Sequence, residues 1–179
     1  IQALVDRHES LRATVDPGGS LVRIAPELKI EPVLVDLTKL RGPKRDAKLE
    51  ELRQKDVVTP FDLERGPLVR ATLIKLAKDE QLLFLGVHHI VADGWSCGVL
   101  VKELGEIYSA LAGGAAPALP AAAQFGDYAE WYHGAREGAD AARAESYWLS
   151  RFQDSIPILE LPTDRLRPQI RSYNATRQE

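Results

Sequence analysis

Methionine is absent from this 179-residue chain, cysteine occurs once, and no apolar run comes near the length of a bilayer span. Each absence excludes something. Cys97 alone cannot close an internal disulfide, so a reducing, cytoplasmic setting is expected. A membrane helix needs about 18 or more consecutive apolar residues, and none is present. Charge of one sign is not concentrated either: 23 basic and 26 acidic residues are interspersed to a net charge of -3, which excludes the basic surface of a nucleic-acid binder. The cluster at residues 41–48 is followed by Glu50 and Glu51 and reads as a turn leading into a solvated helix. The four histidines, His8, His88, His89 and His133, have no cysteine partner and no zinc spacing, so no metal site is expected. No internal repeat is visible.

What is present suits an α/β domain. At 45% hydrophobic the chain can bury a real core. Ile1, Leu4, Val5, His8 and Leu11 recur at helical spacing from the first residue, which predicts a chain cut inside an element. Residues 11–15 and 21–24 read as paired strands around the turn Asp16-Pro17-Gly18-Gly19. A helix is predicted over residues 43–57, with Leu49, Leu52 and Asp56 at its edge, and Pro60 beyond it. Residues 68–76 and 81–88 are the clearest strands. The second is almost continuously apolar from Leu82 to Val87, which predicts a central strand covered on both sides. A further helix carries the stripe Cys97, Leu100, Leu104, Ile107, Tyr108 and Leu111, with Cys97 as small packing, and Gly113-Gly114 ends it. Residues 115–123 form an Ala/Pro-rich loop, and two more helices follow around Tyr128 and Tyr147.

The chemistry lies between the apolar strand and that striped helix. The run Val87-His88-His89-Ile90-Val91-Ala92-Asp93-Gly94-Trp95-Ser96 sets two imidazoles, a carboxylate and a glycine at a strand's end. Imidazole titrates at about 6.5, so it can exchange protons near neutral pH, and a carboxylate can fix its tautomer. Adjacent strand residues point to opposite sides, so only one histidine faces a given cavity. The plainer alternative makes one of them a packed histidine and Asp93 the cap of the next helix.

The His88-His89-x-x-x-Asp93-Gly94-Trp95-Ser96 pattern resembles the active-site motif of the condensation domains of non-ribosomal peptide synthetases. Three further stretches match in order: Arg7-His8-Glu9-Ser10-Leu11-Arg12-Ala13-Thr14-Val15, Phe61-Asp62-Leu63-Glu64-Arg65-Gly66-Pro67-Leu68-Val69-Arg70, and Phe125-Gly126-Asp127-Tyr128-Ala129-Glu130-Trp131. The resemblance implies a chloramphenicol acetyltransferase-like lobe, a mixed sheet packed with helices. It also implies that residues 1–179 are a partial condensation domain, the first of two lobes, truncated at both ends, with Arg171-Ser172-Tyr173 near the passage to the second.

The implied activity is acyl transfer in secondary metabolism, such as antibiotic biosynthesis. The amine of a downstream aminoacyl thioester attacks an upstream aminoacyl or peptidyl thioester, each held on the phosphopantetheine of a carrier domain. This lobe would bind no cofactor itself. Its partners would be the two carrier domains, the adenylation domain of the same synthetase and the second lobe. The resemblance places His89, Gly94, His88 and Asp93 in the catalytic set, with His89 nearest the amine as general base or as a group that orients it. By alternation His88 faces the lobe's interior. Gly94 permits close approach and offers an amide to a developing oxyanion. Arg7, Arg12, Asp93, Trp95 and Arg70 support the site, with Asp93 paired to Arg7 or Arg12, Arg70 and Asp62 as framework, and Trp95 packed at the mouth of the turn.

Ala13 and Val15 depart mildly from the family pattern, where threonine and phenylalanine are common. The flanking residues of the histidine run look closest to domains that join two L-residues. Two other classes stay open. One is a stand-alone acyltransferase of the same superfamily using a coenzyme A or carrier thioester. The other is a non-catalytic module that only docks a carrier.

Overall fold

The computed structural model describes residues 1–153, 156, 158–160, 162, 163, 165, 166 and 168–170. Arg171-Ser172-Tyr173 lie outside them. The chain forms two compact units, Ile1–Tyr132 and His133–Glu179.

In the first unit, helix α1 (Gln2–Arg7) passes into a 3-10 turn, Glu9–Arg12, and then strand β1 (Ala13–Val15). The strand expected over residues 11–15 is thus shorter. Leu11 is drawn into the core beside Leu4 and Val5, and the turn that puts it there uses Arg12 as its last residue. Strand β2 (Val22–Ile24) pairs antiparallel with β1, with Ala13 opposite Ile24 and Val15 opposite Val22. Asp16 closes this hairpin by accepting backbone N–H bonds from Gly18 and Leu21.

Strand β3 (Val33–Asp36) leads into helix α2 (Gly42–Val58) and returns as β4 (Val69–Lys75), parallel to β3, in one β-α-β unit. Strand β5 (Gln81–Val87) runs antiparallel to β4, giving the sheet order β3-β4-β5. Helix α3 (Gly94–Ala112) follows, then α4 (Phe125–Arg136).

Period-2 alternation sorts the sheet into two faces. Leu37, Ile74, Leu82 and Phe84 pack with Leu49 and Leu52 of α2. Val69, Leu85 and Val87 pack on the other face with Leu4 and Val5 of α1 and Leu100 and Ile107 of α3. The result is a mixed α/β lobe with helices on both sides of its sheet. Strand β5 is covered on both faces but is not central. Among the described residues β4 holds that place, because an apolar run reports cover above and below a strand and says nothing of its neighbours along the ladder.

The stripe on α3 is narrower than its sequence suggests. Leu100 and Ile107 are buried, whereas Cys97, Tyr108 and Leu111 are exposed. The expected packing role of Cys97 is therefore corrected: it lies in the first turn of α3, where no residue is buried, and burial begins at Leu100. Among the described residues no helix is long and apolar enough to cross a membrane.

The second unit contains α5 (Ala139–Arg151), whose Tyr147 and Trp148 meet edge to face while Trp148 stacks on Phe152.

Candidate functional site

Strand β5 ends at Val87, and His88 continues it far enough to donate its backbone N–H to Leu68 at 2.9 Å. A turn at residues 89–91 then reverses the chain into α3. The two histidines diverge. His88 is half-buried on the α2 side, its ring meeting Phe61 edge to face at 5.8 Å, and its Nδ1 accepts the N–H of Ile90 at 3.1 Å. His89 is exposed and lines a pocket of about 250 Å³ whose far wall is the hairpin face made by Ala13, Val15, Val22 and Ile24. In the hairpin register these four apolar side chains share one face, and Thr14 and Arg23 take the other. An imidazole edging an open apolar pocket is placed to meet a bound amine or carbonyl.

Asp93 caps α3. Its Oδ1 accepts the N–H of Ser96 at 2.8 Å and the hydroxyl of Ser96 at 2.7 Å. The Ser96 hydroxyl and amide together hold the Asp93 carboxyl below the usual carboxylate range. As the first residue of α3, Gly94 has an amide with no intrahelical acceptor. A side chain at Gly94 would meet nothing within 4 Å, so the helix start is open on that side.

The ion pair expected between Asp93 and Arg7 or Arg12 is not formed. Arg7 donates Nε and Nη2 to the two carboxylate oxygens of Glu103, at 3.0 and 3.1 Å, and also bonds the carbonyl of Pro120. Arg12 donates to the carbonyls of Val5, Asp6 and Ala25, so it clasps α1 to the end of β2. The physical reason is position. Glu103 lies on the inward face of α3, three residues from buried Leu100, whereas Asp93 sits at the exposed helix start. Trp95 is also corrected: it is 86% exposed and does not pack against the turn.

Three groups that matter here carried little signal in the sequence. Glu103 gathers Arg7 and also His8, whose Nε2 lies 2.6 Å from Oε2. Gln124 accepts the N–H of Glu9 and donates to the carbonyl of Arg7, joining the start of α4 to the first motif. Asp56, noted only as an edge residue of α2, binds Arg70 Nε at 2.8 Å. Helical phase relative to Leu100 and Leu104 points to Glu103; nothing local marked the other two.

The motif Phe61–Arg70 opens as a turn, and Phe125–Trp131 lies in α4. Asp62 Oδ1 accepts the N–H groups of Glu64 and Arg65, both at 3.0 Å, and its carbonyl accepts that of Gly66 at 2.8 Å. Gly66 adopts φ 65°, and a side chain there would press on Thr14 of the hairpin at 3.1 Å, so both backbone and space require glycine. Among the described residues no cluster of three or more metal-ligating side chains occurs.

The profile of the condensation domain matches residues 1–179. The chain belongs to this family. Its fold is that of the N-terminal lobe of a condensation domain, within the chloramphenicol acetyltransferase-like superfamily. The chain is 42% identical over 180 residues to malpibaldin synthetase of Mortierella alpina. It is 37% identical over 179 residues to tyrocidine synthase 3 of Brevibacillus parabrevis. These alignments take in 97% and 99% of this chain and only 3% of each of those proteins. Among solved structures, the epimerization domain from the third module of tyrocidine synthetase B superposes with a TM-score of 0.77 at 26% identity, over 93% of this chain and 38% of that one. The SgcC5 protein of Streptomyces globisporus gives a TM-score of 0.74 at 32% identity, over 91% and 37% respectively.

Proposed function

We propose that this chain contributes one wall of a condensation site that forms a peptide bond between two thioester-held groups on carrier domains. The observation that carries this reading is the position of His89, exposed on the wall of a pocket that also takes in Asp93 and Ser96 at the start of α3. Likeness to several peptide synthetases supports the substrate class.

In the proposed reaction the downstream amine nitrogen attacks the upstream thioester carbonyl. A C–N bond forms, the C–S bond breaks, and the upstream phosphopantetheine leaves as a thiol that takes up the proton lost by the amine. His89 accepts that proton in transit or orients the amine, an effect worth roughly 10²- to 10⁴-fold. The Gly94 amide donates to the carbonyl oxygen as it becomes an oxyanion. Asp93 acts on the site through the helix it caps. The second lobe would close the other side of the site, with an adenylation domain supplying the loaded carriers in a reducing cytoplasm.

Reconstitution of the intact protein with both loaded carriers, read by mass spectrometry of the carrier-bound products, tests this. Lengthened peptide on the downstream carrier is expected. Transfer only to a free amine or alcohol would favour a stand-alone acyltransferase, and carrier binding without transfer would favour a docking module. The 179 residues by themselves should give no product, because catalysis requires both tethered reactants held about 3 Å apart.

A further inference from the structure

We propose that Asp56, Arg70 and Gly86 are positioning residues that hold the histidine turn from behind through Phe61 and His88. This rests on His89 being the group nearest the chemistry. Three observations meet at one place. Arg70 is fixed at three points: its Nε donates to Asp56 Oδ1 at 2.8 Å, and its Nη2 donates to the carbonyls of Asp56 and Thr59 at 2.5 and 2.8 Å. So anchored, its guanidinium carbon lies 3.9 Å from the centre of the Phe61 ring, a cation-π contact. The edge of that sandwich meets His88, whose Nδ1 accepts the N–H of Ile90 and so ties the turn that carries His89. A neutral imidazole accepting at Nδ1 carries its proton at Nε2, so this contact also selects the tautomer.

Gly86 explains why the assembly fits. In the apolar strand Leu82-Leu83-Phe84-Leu85-Gly86-Val87 it faces α2, opposite Arg70 in the ladder. A side chain at Gly86 would stand 3.1 Å from Asp56 Oδ2 and 3.3 Å from Arg70 Cγ and Nε. The missing Cβ is the space in which the ion pair lies over β5, two residues before His88. Glycine weakens a strand, so its presence here reflects close approach.

Arg70→Lys keeps the charge but loses the flat fork that grips Asp56 and covers Phe61. Gly86→Ala leaves every partner in place and pushes the pair off the strand. In the intact protein both variants should show single-turnover amide formation lowered roughly 10- to 100-fold, with KM for the loaded carriers unchanged, because small misplacement costs rate more than binding. Imidazole 15N NMR should show the His88 Nδ1 acceptor signal of the wild type shifting toward a tautomeric average in both. Unchanged turnover per folded molecule together with an unchanged His88 signal would overturn the proposal, even if both variants melt earlier. If Arg70→Lys does not fold, Gly86→Ala decides. A wild type that forms no amide removes the assigned reaction, while the His88 signal still judges the positioning.

Discussion

Glu103 of α3 takes Arg7 on both carboxylate oxygens and His8 on one of them, so a single acidic side chain fastens the first motif to the helix that follows the histidines. The Arg7 hydrogen bonds, ahead of that from His8 and against partial desolvation, hold its carboxyl below the ordinary 4.5. A carboxylate lowered in the folded state contributes stability that is complete above its unfolded pKa and is lost as pH falls through the lower folded value. Denaturation midpoints should therefore fall below about pH 4.5 in the wild type and fall less steeply in Glu103→Gln. At neutral pH Glu103→Ala should cost about 1 to 3 kcal/mol, since it strands charge-assisted donors.

Asp93→Ala should behave as the loss of an exposed helix cap. Chemical denaturation is expected to show a smaller drop than for Glu103→Ala, because only the two contacts from Ser96 disappear and no arginine is left unpaired. A drop larger than that of Glu103→Ala would return the carboxylate to a buried ion pair.

Leu4 is 2% exposed and links α1 to α3 and β4. Leu4→Ala should cost about 2 to 5 kcal/mol in urea denaturation of the intact protein, from lost burial and an unfilled cavity.

Trp95→Ala should leave stability within about 0.5 kcal/mol of wild type, as expected for a side chain at the surface. Its indole fluorescence is the accompanying readout. Emission from Trp95, isolated by comparing wild type with the variant, should be that of a hydrated indole.

The fold was legible wherever one face of an element is buried. The apolar run along β5 and the spacing of Leu100, Leu104 and Ile107 each register cover, and the predicted strands and helices lie close to their bounds, whereas the short β3, mostly exposed, was not predicted. Strand order was not legible, since Leu82 to Val87 reads the same at an edge as at a centre when helices cover both faces. The histidine turn was visible from residue types alone. Its wiring was not: Asp93 and Glu103 are both acids within reach of α1 in sequence terms, and only the direction each faces on α3 decides which one Arg7 meets. Asp56 and Gly86 are likewise far apart in the chain and meet only where α2 packs over β5.

The central claim is that His89, and not the pocket alone, promotes bond formation. Single-turnover amide formation by the intact protein with both carriers loaded, compared between wild type and His89→Ala at matched thermal stability, tests it most directly. A fall of about 10²-fold or more with an unchanged melting temperature is predicted. Wild-type turnover in a well-folded His89→Ala protein would contradict it.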